Sequence, residues 1–311
     1  MDLIQSALKK ITGGNNSKKR QTASASGVFY LVPTTLISTD GNKVEVFGPK
    51  GAAESNVEEV ADIMHLFDAV GAVKKCSSDT YAEIRKLYED DATNRTTAFF
   101  DSLIDSPSVV VSMMKRIEHL QVAVLGCGGI GSGVTYLLAS MGVKSFYLWD
   151  GDLIEKSNLN RQFLYSLRDI GQLKVNVLAR ELNNRFDKLR IKTRAEMVDE
   201  RLNLNALAKY NTVIVSADDP PDIFIDIRKK LNVDSHSVWN AGYLNGISKV
   251  VKVVKNKTAM RSDKTWVMAS KISTSVGFQN FEVSARLAAA IVFSHLGVTK
   301  DYYSDYRDLT Q

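Results

Sequence analysis

Cysteine is scarce. The 311 residues carry two, Cys76 and Cys127, and neither stands in a Cys-x-x-Cys pair. That excludes a disulfide framework and a cysteine-built zinc site within the chain, and it fits a reducing, cytoplasmic setting. Long apolar runs are missing as well: no stretch is long enough to span a bilayer and no signal-peptide pattern is found, so no membrane role is expected. Charge of one sign is barely in excess, with 40 Lys and Arg against 35 Asp and Glu for a net +5. The basic residues are scattered among the acids, which argues against nucleic acid as a partner. No internal repeat is found. What remains is the composition of an ordinary soluble globular protein, 44% hydrophobic and 24% charged, with length for one large domain or two smaller ones.

Residues 122–162 organise the rest. An apolar run over 122–125 enters a turn containing Gly126, Gly128, Gly129 and Gly131. A helical stretch follows, and a second apolar run over 145–149 ends in Asp150. Strand, glycine turn, helix, strand and acid, in that order, make a dinucleotide-type fingerprint. The glycines let backbone N–H groups approach a phosphate at a helix N-terminus, and Asp150 is placed for a ribose hydroxyl. By itself the fingerprint fits NAD, FAD, S-adenosylmethionine or ATP.

Residues 1–26 start with a short helical pattern over 3–11 and run into GGNNSKKRQTASASG, a composition that predicts a flexible tail. Residues 27–90 predict a small separate domain. Its strands fall over 28–32, 35–38 and 43–47, and its helices over 57–70, capped by Ser55 or Asn56, and 80–88. Strands followed by helices suit a winged-helix-like α+β module with an open sheet edge to which a peptide can add. A purely structural or dimerisation domain is the alternative. Residues 91–119 predict a helical linker in which Arg95 lies one turn before Phe99-Phe100.

From 120 to 311, strands and helices alternate. Helices are predicted over 170–186, 202–209, 223–231 and 281–296, and strands over 189–195, 212–216, 237–239 and 248–254. This is an α/β pattern: a Rossmann-like, mainly parallel sheet with helices on both faces. Ligands in such a sheet sit beyond the carboxyl ends of the strands. The glycine turn, Asp150, the pair Asp218-Asp219 and residues 240–243 all fall there. Asp218 directly follows an apolar strand and is the candidate Mg²⁺ ligand, since Mg²⁺ takes one or two carboxylates beside phosphates. Asp219, before Pro220, also reads as a helix cap. The cluster Ser157-Asn158-Leu159-Asn160-Arg161-Gln162, together with Lys174, supplies two cations and several amide donors. Hydride transfer does not need such a set, whereas nucleotidyl transfer needs charge stabilised at the α-phosphate.

GCGGIG, Asp150, SNLNRQ, Lys174 and the Ser216-Ala217-Asp218 triplet resemble the ThiF/MoeB and ubiquitin-activating superfamily of ATP-dependent adenylating enzymes. VSADDP, WNAGYLNGI, the NR-x-x-x-FF stretch at Arg95 and the fused small domain are similar to its members that mature ribosomal peptides of the microcin C and pantocin A type. The resemblance implies ATP and Mg²⁺ as cofactors. It implies nucleotide contacts at Gly126, Gly128, Gly129, Gly131, Asp150, Asp152, Ser157, Asn158, Asn160, Arg161, Gln162, Lys174 and Asp219, and Mg²⁺ at Asp218. Arg161, Lys174 and Asp218 carry the catalytic roles, with Arg95 as the arginine supplied across a homodimer interface. The partner implied is a precursor peptide, its leader on the small domain and its core at the ATP site. A peptide carboxylate, a Glu side chain on the pantocin analogy, would be adenylated and captured by an amide of the same peptide. The superfamily's two zinc-binding cysteine pairs are missing over 254–263, so no zinc is expected. Thioester chemistry is disfavoured for the same scarcity of cysteine. Activation of a ubiquitin-like or sulfur-carrier C-terminus, and a non-catalytic peptide-binding scaffold, are the alternatives.

Overall fold

The computed structural model describes residues 2–13, 27–198, 204–217, 223–231, 236–244, 247–253 and 275–298. They fall into two compact units, Met1–Lys115 and Arg116–Gln311.

The first unit opens with α1 (Asp2–Gly13). Ile4, Ala7 and Ile11 recur at helical spacing and are buried in a cluster with Val44, Val46, Ile63 and Phe67. Residues 2–13 are therefore not the flexible tail expected over 1–26, because their apolar face has a core to join. Residues 14–26 lie outside the described residues. Then come β1 (Val28–Leu31), β2 (Leu36–Asp40), β3 (Lys43–Gly48) and β4 (Gly51–Asn56), of which β2, β3 and β4 form an antiparallel sheet in that order. Next are α2 (Val60–Ala69), β5 (Val73–Cys76), α3 (Ser78–Glu89) and α4 (Asn94–Leu103). β1 pairs antiparallel with β5. The cap of α2 is Glu59, in a capping box with Asp62, rather than Ser55 or Asn56, because β4 runs on through Asn56. The division between the units falls within α5 (Pro107–Glu118).

A buried carboxylate fastens this unit. Asp101 of α4, wholly inaccessible, accepts from Tyr30 Oη of β1 at 2.9 Å, Tyr88 Oη of α3 at 2.6 Å and Lys74 Nζ of β5 at 2.9 Å. Lys74 also donates to the Ile104 carbonyl at 2.7 Å. Burial and the Asp101 charge push both tyrosine hydroxyls well up, so they stay donors. Residues 91–115 thus belong to the first unit, where a linker was expected.

The second unit is the mixed α/β layer structure. Its elements are β6 (Gln121–Leu125), α6 (Gly129–Ser140), β7 (Ser145–Trp149), α7 (Lys174–Asn183), β8 (Arg190–Arg194), β9 (Thr212–Val215), α8 (Ile223–Lys230), β10 (Ser237–Leu244), β11 (Ile247–Lys252) and α9 (Gly277–Leu296). Among the described residues the sheet runs β11-β10-β9-β6-β7-β8, parallel except for β10 with β11. Both faces of β6 and β7 are buried, with Leu125, Tyr147, Trp149 and Val215 packed on Leu207, Ile223 and Ile227 on one side. The order reverses at β6: the chain fills β7 and β8 on one side, then returns to β9 and β10 on the other. In such sheets this switch point is where a crevice opens.

In the second unit, three readings differ in kind from expectation. The helix predicted over 170–186 starts only at Lys174, because Leu167–Asp169 forms a separate 3-10 turn. The predicted helix over 202–209 is a 3-10 turn, Leu204–Leu207, anchored by buried Leu207. Residues 240–243 continue β10, whose second half outruns β9 and pairs with β11 alone.

Candidate functional site

The carboxyl ends of β6 and β9 meet at the glycine turn. Ser216 and Ala217 both donate N–H to the Leu125 carbonyl, at 2.8 and 2.9 Å, and Ser216 Oγ donates to Gly126 O at 2.8 Å. This contact explains Gly126: its φ is +95°, and a Cβ there would lie 2.5 Å from Ala217 N. A Cβ at Gly129 would lie 2.3 Å from Asn280 Oδ1 of α9. Gly133, which sequence reasoning passed over, likewise faces Ser284 Oγ at 2.5 Å. These glycines serve packing. Gly128 differs, since a Cβ there meets only Gln162 Nε2, at 3.7 Å. Gly128 is also the N-cap of α6, and no side chain caps that helix end. An uncapped helix N-terminus with an open glycine before it is a ready seat for an anion.

Asp150 lies buried at the end of β7. Its Oδ2 accepts from Cys127 N at 2.6 Å and its Oδ1 from Asp152 N at 2.7 Å. Burial raises its carboxyl above the ordinary range, and the Lys174 charge and the two N–H groups pull part of the way back. Lys174 is the first residue of α7 and is buried, with Nζ 2.6 Å from Oδ2 of the half-exposed Asp152. The order Cys127, Asp150, Asp152, Lys174 is thus one chain of polar contacts from the turn to the cation.

Tyr165, which sequence reasoning did not single out, donates from Oη to the Cys127 carbonyl at 2.6 Å. The turn is held on both sides of Cys127. Burial pushes the Cys127 thiol well up, the opposite of what a nucleophilic thiolate needs.

The cluster from Ser157 to Gln162 is largely engaged in its own loop. Asn158 Oδ1 accepts from Glu155 N at 3.0 Å, and Ser157 Oγ donates to Glu155 at 3.0 Å. Arg161 bonds Ser157 O at 2.7 Å and Asn160 Oδ1 at 3.0 Å. The loop rests on the start of α9: a Cβ at Gly277 would meet Asn160 O at 3.1 Å, and Phe163 stacks on Phe281 at 3.9 Å. Gln162 is the exception. Its side chain is buried beside the open side of Gly128, and its Oε1 has no donor. A buried acceptor without a partner suits a ligand hydroxyl or amine.

The site therefore brings together Gly128, Asp150, Asp152, Gln162 and Lys174. Tyr243 reaches it indirectly, through Asn280 Nδ2 at 2.9 Å. Arg95 lies exposed on α4 in the first unit. Asp218 and Asp219 lie outside the described residues. Among the described residues there is no group of three or more His, Cys, Asp or Glu placed to hold a metal, and no helix is long and apolar enough to cross a membrane.

The profile of the ThiF family matches residues 100–292. Escherichia coli MccB with succinimide superposes with a TM-score of 0.65 at 21% identity, covering 87% of this chain and 89% of that one. MccB has also been solved with ATP and, as the microcin C7 biosynthetic enzyme, with N-formylated MccA. PaaA superposes with a TM-score of 0.56 at 18% identity, covering 76% and 83%. These likenesses show a shared fold. The adenylyltransferase and sulfurtransferase MOCS3 of Arabidopsis thaliana is 24% identical over 183 residues, 59% of this chain but 38% of that protein. The sulfur carrier protein adenylyltransferase of Thermus thermophilus is 29% identical over 119 residues, 38% of this chain and 44% of that one. The aligned stretch spans less than half the length of either relative.

Proposed function

The chain belongs to the ThiF family, and from that premise we propose that it is a Mg-ATP-dependent enzyme that adenylates a carboxylate of a ribosomally made precursor peptide. One observation carries the reading: the uncapped start of α6, the open side of Gly128 and the unpartnered Gln162 Oε1 lie together at the glycine turn that follows β6.

In the proposed reaction a peptide carboxylate oxygen attacks the α-phosphorus, the bond to the leaving pyrophosphate breaks, and an acyl adenylate forms. Negative charge builds on the phosphates. Lys174 and Arg161 are assigned to stabilise it, with the N–H groups at the start of α6. Asp150 and Gln162 accept from the nucleoside. Asp218 would hold Mg²⁺, which when bound neutralises phosphate charge, and Asp219 would contact the nucleotide. Ser157, Asn158 and Asn160 shape the loop that presents Arg161.

For the acceptor, an amide nitrogen of the same peptide attacks the activated acyl group, releasing AMP and a proton and closing a ring. A Glu side chain as the activated group is the pantocin-type version of this. The buried Cys127 supports capture by the peptide rather than by a thiol of the turn. The first unit, read as a winged-helix-like module, would grip the leader as an added strand and raise the local concentration of the core. Arg95 would act across a homodimer. A cytoplasmic setting follows from the same substrate.

The measurement is release of AMP and pyrophosphate with candidate precursor peptides. Asp218→Asn should cut turnover by orders of magnitude while peptide binding persists. Absence of both products with every peptide tried, or an Asp218→Asn variant as active as the parent, would overturn the reading. The likeness to MOCS3 and to the sulfur carrier adenylyltransferase favours one second reading, activation of a carrier protein's C-terminus. Products formed with such a carrier, and not with peptides, would establish it.

A further inference from the structure

β8 is an outer strand of the parallel sheet and, among the described residues, pairs with β7 alone. Its hydrogen bonds determine which backbone groups face outward. Arg190 N–H donates to Lys144 O at 2.7 Å, and Arg194 O accepts from Asp150 N–H at 3.1 Å. In a parallel ladder this commits the backbone of Arg190, Lys192 and Arg194 to β7. The N–H and C=O groups of Ile191 and Thr193 are left pointing to the open side.

Side chains alternate between faces, so Arg190, Lys192 and Arg194 share one face. Arg194 lies there 4.0 Å over the Trp149 ring and is paired with Glu196 at 2.6 Å. Lys192 pairs in register with Tyr147, whose ring stacks on Tyr210 at 5.4 Å, and Lys209 lies 5.1 Å from the Tyr210 centroid, so both lysines come to that face. The Lys192 ammonium pushes the Lys209 amine below its ordinary range. Neither lysine, nor Arg190, has a carboxylate partner among the described residues.

A lone lysine on an edge strand is an ordinary guard against edge-to-edge aggregation. A second ammonium set against it adds repulsion that this guard does not require, and an anionic partner would relieve that repulsion. We propose that the open edge of β8 takes an acidic peptide segment as an added strand, with alternate Asp or Glu side chains meeting Arg190, Lys192 and Lys209. The backbone rungs at Ile191 and Thr193 supply affinity, and the cations select sign and register. β8 ends where Arg194 O bonds Asp150, so a segment laid along it reaches the sheet end that carries the glycine turn. The edge needs no nucleotide to bind, and its failure leaves the adenylation reading standing.

The test uses the full chain and a labelled peptide of alternating Glu and Val, followed by fluorescence anisotropy, with amide hydrogen exchange at Ile191 and Thr193. A Lys-for-Glu peptide and inorganic tripolyphosphate are the controls. The expected result is binding of the Glu peptide, slower exchange at both amides, and a loss of about tenfold or more in affinity for Lys192→Glu and Lys209→Glu, since like charges across an interface repel. Lys192→Gln and Lys209→Gln, at exposed positions, should show smaller losses with unchanged melting. Three results would each overturn the proposal: no binding, binding indifferent to both lysines, or binding without slowed exchange. The last, if shared by tripolyphosphate, would mark a simple anion site.

Discussion

A Cβ placed on Gly131 would lie 1.9 Å from the carbonyl oxygen of Gly126. Backbone fills that space, so Gly131→Ala must push the turn apart. We expect it to destabilise the second unit by about 2 kcal/mol, in the range for overpacked positions. Gly128→Ala has room and a φ of −71°, so its melting temperature should fall far less than that of Gly131→Ala, by no more than a poorer N-cap costs. Its methyl would instead occupy the open side, and ATP affinity should fall about tenfold, roughly the effect of one misplaced contact. Thermal melts with and without ATP separate the two. Equal destabilisation by both substitutions would refute the division of roles.

Lys174 is held by Asp152 and is the first residue of α7, so it is positioned before any ligand arrives. Lys174→Ala should lower the rate of adenylate formation by about 10²-fold or more, the usual effect of removing one preorganised donor. Stability should fall modestly, because half-exposed Asp152 can be hydrated but buried Asp150 loses a favourable charge. Single-turnover AMP formation measures the first effect and urea unfolding the second.

The raised Asp150 carboxyl gives a pH signature. Nucleotide binding that needs the carboxylate is lost as pH falls through the raised value, above the ~3.9 of an ordinary aspartate. The stability linkage has the opposite sense. The native state binds this proton more tightly than the unfolded chain, so the group's contribution to stability falls as pH rises through the same window. Calorimetric titration of ATP across the acid range should show that limb, and Asp150→Asn should abolish it. A limb that persists in the Asn variant would point to another group.

In the first unit, Lys74→Met leaves the Asp101 carboxylate buried without its cation. Breaking a buried pair from one side costs about 3–5 kcal/mol. Tyr88→Phe removes one hydrogen bond to the same carboxylate and should cost about 1.5–3 kcal/mol. Denaturant unfolding followed by tyrosine absorbance would rank them, and an Lys74→Met variant as stable as the parent would refute the role given to the Lys74–Asp101 pair.

The parts legible in the sequence were those with a strong local signal. QVAVL, SFYLW and TVIV are apolar enough to read as β6, β7 and β9, and glycines spaced after β6 have few other uses. β4, reading GAAESN, was invisible because most of it is exposed and lacks alternation. β5, reading VKKC, hides a buried lysine that only a carboxylate far along the chain makes tolerable. Which glycine faces a ligand was also out of reach. The answer depends on Ala217 and Asn280, which the fold brings to the turn from other elements. Tyr165 and Ser284 carry no pattern at all; they matter because of which carbonyls they meet.

The Asp101 contacts also say where the chain can be cut. Asp101 stands 71 residues beyond Tyr30 and 27 beyond Lys74, and the Ile104 carbonyl stands 30 beyond Lys74. A fragment severed after α3 would end at a tidy helix boundary yet abandon a lysine in its interior with nothing to answer its charge. Such a piece should aggregate, or borrow α4 from a neighbouring chain and swap into a dimer. The shortest fragment able to stand alone reaches past Ile104.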